Sequence, residues 1–166
     1  MFQMKPLILA AATLLSGLSA QAEDPNKIPL GSWSAACDGF GIPATCTSDW
    51  QPGQHASHVV QTYAVVRASD GAKIFSGRGL YRLQDGKVDG IWEDSRGAIL
   101  DLAGRFEDGQ LSVIWGDASD EIGRSVYTFS EGEMQARDAV LTETGWREFM
   151  AIDYRRAIET PATESD

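Results

Sequence analysis

The sequence predicts an all-β protein, an antiparallel up-and-down meander that closes into a barrel of about eight to ten strands. Three observations point there. Turn signals recur at Asp70-Gly71, Asp85-Gly86, Arg96-Gly97, Asp108-Gly109, Glu131-Gly132 and Thr144-Gly145, each between runs rich in Val, Ile, Leu, Tyr, Phe and Trp. Type I′ hairpin turns need positive φ at both central residues, which Asp tolerates and Gly adopts freely. Within the runs, apolar and polar side chains alternate, as they do when one sheet face is buried. The connections are also short, which favours neighbouring antiparallel strands, and closure removes the two exposed edges an open meander would carry.

The chain opens with a leader. Lys5 followed by the apolar stretch Leu7 to Leu18 and by Ala20-Gln21-Ala22 reads as a secretory signal peptide over residues 1–22, cleaved near Ala22. Its apolar run of about 12 residues falls short of the ~20 that a membrane-spanning helix needs. The expected location is therefore the periplasm or the exterior, with no membrane span. Residues 23–29 form a polar, proline-bounded lead-in, and residues 30–156 the barrel domain. Residues 157–166, acidic and poor in apolar side chains, are expected to be a disordered tail.

Strands are expected at Ser32–Ala36, His58–Arg67, Ala72–Leu83, Lys87–Glu93, Ile99–Phe106, Gln110–Gly116, Arg124–Phe129, Met134–Val140 and Trp146–Arg155. Cys37 to Ser57, with two prolines and two cysteines at most nine positions apart, reads as a long irregular loop. In an oxidising compartment two lone cysteines pair, so Cys37 and Cys46 are expected to staple that loop.

Alternation assigns the faces. Phe75, Gly77, Gly79, Tyr81, Leu83, Val88, Gly90, Trp92, Leu100, Leu102, Gly104, Phe106, Leu111, Val113 and Trp115 share one face, which the aromatic content marks as the inner one. Arg78, Arg82, Asp89, Glu93, Asp101 and Arg105 fall on the other, where opposite charges on neighbouring strands form a ladder. Ile74, Leu80, Ile91, Ile99 and Ile114 fall on that charged face as well, which reads either as an outer apolar stripe covered by a partner subunit or as a slip of register at a bulge.

The charge balance narrows the partners. With 24 acidic against 14 basic residues the chain carries a net charge of −10, which repels nucleic acid and anionic lipid. Chemistry-bearing motifs do not assemble. His55 and His58 stand where the loop meets a strand, without a patterned third ligand. Asp117 to Gly123 lacks the glycine and the bidentate glutamate of a calcium loop. Gly77-Arg78-Gly79 lies inside a strand and not before a helix, so it is no phosphate cradle. Asp89, Glu93 and Asp101 have arginine partners and read as ladder members instead of an acid/base pair. No catalytic residue, metal or cofactor is expected from these motifs.

One resemblance adds to this. Leu30-Gly31-Ser32-Trp33 is similar to the Gly-x-Trp that opens lipocalins and related calycin barrels, where the tryptophan closes one end and a basic side chain from the last strand packs over it. The resemblance implies the closing set Gly31, Trp33 and Arg155, with Arg156 as the neighbouring alternative. It also implies a lipocalin-like barrel that holds a small apolar molecule or is simply filled. Tyr81, Trp92, Phe106, Trp115 and Tyr127 are the expected lumen contacts, since ligand pockets are mostly apolar with a few polar groups. Three functional readings follow: a binding protein for a small apolar or amphipathic ligand, an interaction module with a filled barrel whose outer stripe meets another protein or a second copy, or a barrel-scaffold enzyme in which Asp89, Glu93 and Asp101 would be the place to look.

Overall fold

A computed structural model of the chain describes residues 27–117, 119 and 121–157. The leader, the lead-in up to residue 26 and the tail from residue 158 lie outside the described residues.

Ten strands follow one another: β1 (Gly31–Asp38), β2 (Pro43–Pro52), β3 (His58–Arg67), β4 (Lys73–Gln84), β5 (Lys87–Asp94), β6 (Ile99–Glu107), β7 (Gln110–Gly116), β8 (Ile122–Ser130), β9 (Glu133–Thr142) and β10 (Gly145–Arg156). Each pairs antiparallel with its neighbours in sequence, and β10 closes against β1, so the meander is a closed barrel. The closing seam is short, with Trp33 opposite Arg156 and Ser34 opposite Arg155, extended by a 2.8 Å bond from the Ala157 amide to the Ser32 carbonyl.

The segment expected as an irregular loop, Cys37 to Ser57, contains strand β2. Pro43 and Pro52 stand at its two ends, where a missing N–H does least harm to a ladder. Its inward positions are Ala44, Cys46, Ser48 and Trp50, and three of these four are small or polar. The apolar alternation that reveals a strand is thereby muted. The disulfide between Cys37 and Cys46 is consequently a cross-strand staple at the β1–β2 hairpin, with Cys37 opposite Ala44 and Cys46 opposite Ala35. Replacing both cysteines with serine is expected to lower stability by about 2–3 kcal/mol, the chain-entropy value for a loop of about 10 residues. A lower urea midpoint at unchanged slope would show it; an unchanged midpoint would contradict it.

The two ends of the barrel differ. At one end the connections are tight: Asp85-Gly86 has φ of 51° and 74°, and Asp108-Gly109 has 49° and 74°, the type I′ geometry expected of Asp-Gly. This end is filled. Trp33, Trp50, Phe106, Phe129, Leu111 and Met134 are all buried there. Phe129 is the hub, with ring centroids 5.8 Å from Trp33, 5.6 Å from Trp50 and 6.5 Å from Phe106 in edge-on contacts. Such pairs add about 0.5–1.5 kcal/mol each beyond the area they bury. Arg156 caps the end, its guanidinium 5.2 Å from the Trp33 ring centroid.

That cap is Arg156 and not Arg155. Alternation along β10 turns Ile152 and Tyr154 inward, so Arg155 faces out and pairs with Glu133 on β9, while Arg156 comes into register with Trp33. Phe106, expected in the lumen, likewise belongs to the filled end.

The inner face otherwise follows the expected parity, from Tyr81 and Val88 through Leu102 and Val113. Outside, Arg82 and Asp89 form a cross-strand ion pair at 2.8 Å. Beside it Leu80, directly opposite Ile91, and the nearby Ile99 and Ile114 are exposed, while Ile74 is half-buried.

Candidate functional site

The opposite half of the barrel is hollow. A cavity of about 620 Å³ opens at the end formed by the β1–β2, β5–β6, β7–β8 and β9–β10 connections, within the roughly 300–1,000 Å³ typical of small-molecule sites.

Two tryptophans make the walls without filling the space. Trp115 stands directly opposite Gly123, and Trp92 lies diagonally across from Gly77. Each indole rests flat against its glycine, so closely that a Cβ at either position would come under 3.0 Å from three ring atoms. A side chain there would tip the indole away from the wall and into the lumen. Trp115 is further fixed by its Nε1–H, which donates to Ser125 Oγ at 3.1 Å. The glycines are thus what turns two large aromatic side chains into lining.

The floor is polar. Tyr81 donates its hydroxyl to Gln61 Oε1 at 2.7 Å, and Gln61 Nε2 donates to Ser48 Oγ at 3.1 Å. Tyr63 reaches Cys46 Sγ at 3.4 Å and Met150 Sδ at 3.6 Å. Tyr127 and Tyr154 complete a group of four phenols. Burial pushes all four above the ordinary tyrosine range, so they stay neutral donors and acceptors at any physiological pH.

Among them stands one carboxyl. Asp138 on β9 faces inward, directly opposite Ser125 on β8 and Met150 on β10. It is 9% exposed, and its Oδ1 accepts no hydrogen bond from any described residue. Burial pushes its carboxyl up to about 6, partly offset by the Ser125 hydroxyl. A buried acceptor left without a donor is costly, of the order of 1–3 kcal/mol, and more when it is charged.

The rim carries more aromatics and its own paired charges. Phe40, 72% exposed at the tip of the β1–β2 hairpin, holds a φ of 61°, a left-handed conformation uncommon for a bulky residue. The Gly41 amide donates to the Asp38 carboxylate within that tip, which helps to hold it. Phe40 packs edge-on against Phe75, and Arg96 lies 5.4 Å over the Phe75 ring. Arg96 also donates to Asp94 at 2.9 Å. Although burial raises the Asp94 carboxyl, the Arg96 guanidinium and the Arg96 and Ala98 amides hold it below the usual range. A bulge in β10 between Glu148 and Met150 adds Phe149 to the rim and sets Arg147 opposite Val140.

Of the residues singled out from sequence, Tyr81, Trp92, Trp115 and Tyr127 line the cavity, and Phe106 does not. Asp138, Gln61, Tyr63, Tyr154 and Ser125 were not singled out. A signal for the first existed: Asp138 shares parity with Met134 and Ala136, so an acid stands where the pattern demands an apolar residue.

No protein-family model and no curated protein matches the chain. Function therefore has to be read from the cavity's own chemistry. The other groups considered do not converge. Asp89, Glu93 and Asp101 are exposed on the outer wall. The His55 and His58 rings lie 5.4 Å apart at the filled end, with His55 Nδ1 engaged by Ser57. Among the described residues no three His, Cys, Asp or Glu side chains form a metal-binding group.

Proposed function

We propose that this protein is an exported, lipocalin-like binding protein that holds a small apolar or amphipathic molecule in its lumen. The cavity carries this reading: about 620 Å³, walled by Trp92 and Trp115 and floored by Tyr63, Tyr81, Tyr127, Tyr154 and Asp138. Flat aromatic walls give contact area at little entropic cost, and the polar floor orients one end of the ligand. The Gly31-x-Trp33 opening, with Arg156 stacked on the indole, supports likeness to lipocalin barrels. The Cys37–Cys46 disulfide and the leader together support export to an oxidising compartment. A filled barrel acting only through its outer surface does not account for the hollow half.

Titration with N-phenyl-1-naphthylamine, a neutral apolar fluorophore, tests the reading. A saturable one-to-one rise in its emission, with energy transfer from tryptophan, is expected. An unsaturable signal equal to that of an unfolded control would reject binding in the lumen.

A further inference from the structure

We infer that the ligand is an organic cation: a protonated primary or secondary amine on an apolar body, whose N–H bonds to Asp138 at the floor of the cavity. The inference rests on the lumen being a binding site and adds the chemical class of the head group.

Among the described residues the floor holds a single acidic side chain, inward on β9 and unpaired at Oδ1. What that oxygen lacks is a donor. A carboxylate buried among aromatic rings is best compensated by a group that carries both a positive charge and a hydrogen. An ammonium head supplies both, whereas an alcohol supplies only the hydrogen, a quaternary ammonium only the charge, and a fatty acid neither. The rim's Arg96 is already matched by Asp94, so it does not complete the floor. The surroundings suit a cation further: the phenols of Tyr63, Tyr127 and Tyr154 offer oxygens and ring faces, and Trp92 and Trp115 supply indole faces above them. The chain's net charge of −10 would steer such a ligand toward the mouth.

The pH response follows from what faces Asp138. From β8 come Ser125 and Tyr127, from β10 Met150 and Tyr154, from β3 Gln61 and Tyr63, and from β4 Tyr81; Asp38, Asp94, Glu121, Arg96 and Arg147 stand nearer the mouth. The phenols stay neutral between pH 5 and 8, and an alkylamine stays charged. Asp138 is thus the floor group that titrates in that interval, and amine binding should weaken as it takes up a proton.

Three ligands sharing one body separate the possibilities: 4-phenylbutylamine, 4-phenylbutanol and 4-phenylbutyrate, each displacing N-phenyl-1-naphthylamine from the intact, oxidised protein. The amine is expected to bind roughly ten- to hundredfold more tightly than the alcohol at pH 8, the ratio given by a hydrogen bond between charged groups, and that advantage should shrink about tenfold by pH 5 as Asp138 takes up a proton. In Asp138→Asn, checked by its melting curve to be folded, the amine should fall to the level of the alcohol while the alcohol is unmoved. Equal binding of amine and alcohol, tighter binding of the butyrate, or an amine preference that survives in Asp138→Asn would overturn the assignment while leaving a binding lumen in place. If the fluorophore itself does not bind, both readings fail together.

Discussion

Asp138→Asn is expected to make the unliganded protein more stable at pH 8, by up to about 3 kcal/mol. In the folded barrel the carboxyl is raised from 3.8 to about 6 by burial, and each unit corresponds to about 1.4 kcal/mol. The sign follows from proton binding. Between pH 4 and 6 the folded state holds a proton that the unfolded state has released, so stability falls as pH rises through this interval. Above about pH 6 the full penalty of the buried charge is present, and below about pH 4 it is gone. Asparagine keeps the shape and removes the charge, so the gap between variant and wild type should be widest at pH 8 and closed at pH 4. Thermal melts at both values measure it, with a gap of roughly 5–10 °C at the upper one for a domain of this size. A gap of equal size at both pH values, or a variant less stable than wild type at pH 8, would show that Asp138 does not carry a buried charge. Stability given up in this way at one inward position is a common mark of a functional site.

The second large effect concerns the glycine-backed tryptophans. Gly77→Ala and Gly123→Ala each place a methyl group where the indole now lies. Overpacking of this kind costs about 1–3 kcal/mol, and the displaced ring can go only into the lumen. Both variants should therefore lose stability and most of their capacity for N-phenyl-1-naphthylamine. A double-mutant cycle isolates the cause. If the collision with Trp92 is responsible, Gly77→Ala should cost almost nothing in a Trp92→Leu background. Additive losses would instead place the cost in the β4 backbone. Gly104 makes a useful contrast, since a Cβ there would meet the Ser112 carbonyl and the Val113 backbone, which no side-chain change can clear.

Much of the architecture was legible because it rests on local rules. Asp85-Gly86 and Asp108-Gly109 adopt the turn their residues prefer, and parity alone puts Tyr81, Trp92, Leu102 and Trp115 inside. Strand β2 escaped because Ala44, Cys46 and Ser48 give an inner face almost without hydrophobic contrast, and because prolines at strand ends look the same in sequence as prolines in loops. The site was half legible. Its aromatic walls follow from alternation within single strands. The floor does not, since it joins Gln61 and Tyr63 of β3 to Ser125 of β8, Asp138 of β9 and Tyr154 of β10, and closure of the ring is what makes these neighbours. Whether the aromatics fill or line the lumen depended on Gly77 and Gly123, whose effect appears only once each is seen beneath an indole.

The short seam between β1 and β10 has a geometric consequence for how the molecule is held. Gly31 and Arg156 both lie at the filled end, so the described chain enters and leaves the barrel on the same side. The mouth, with Phe40, Phe75 and Phe149 around it, is at the far pole. A group attached at residue 27 or at residue 157 would therefore sit beside the Trp33–Arg156 plug, at the pole opposite the mouth.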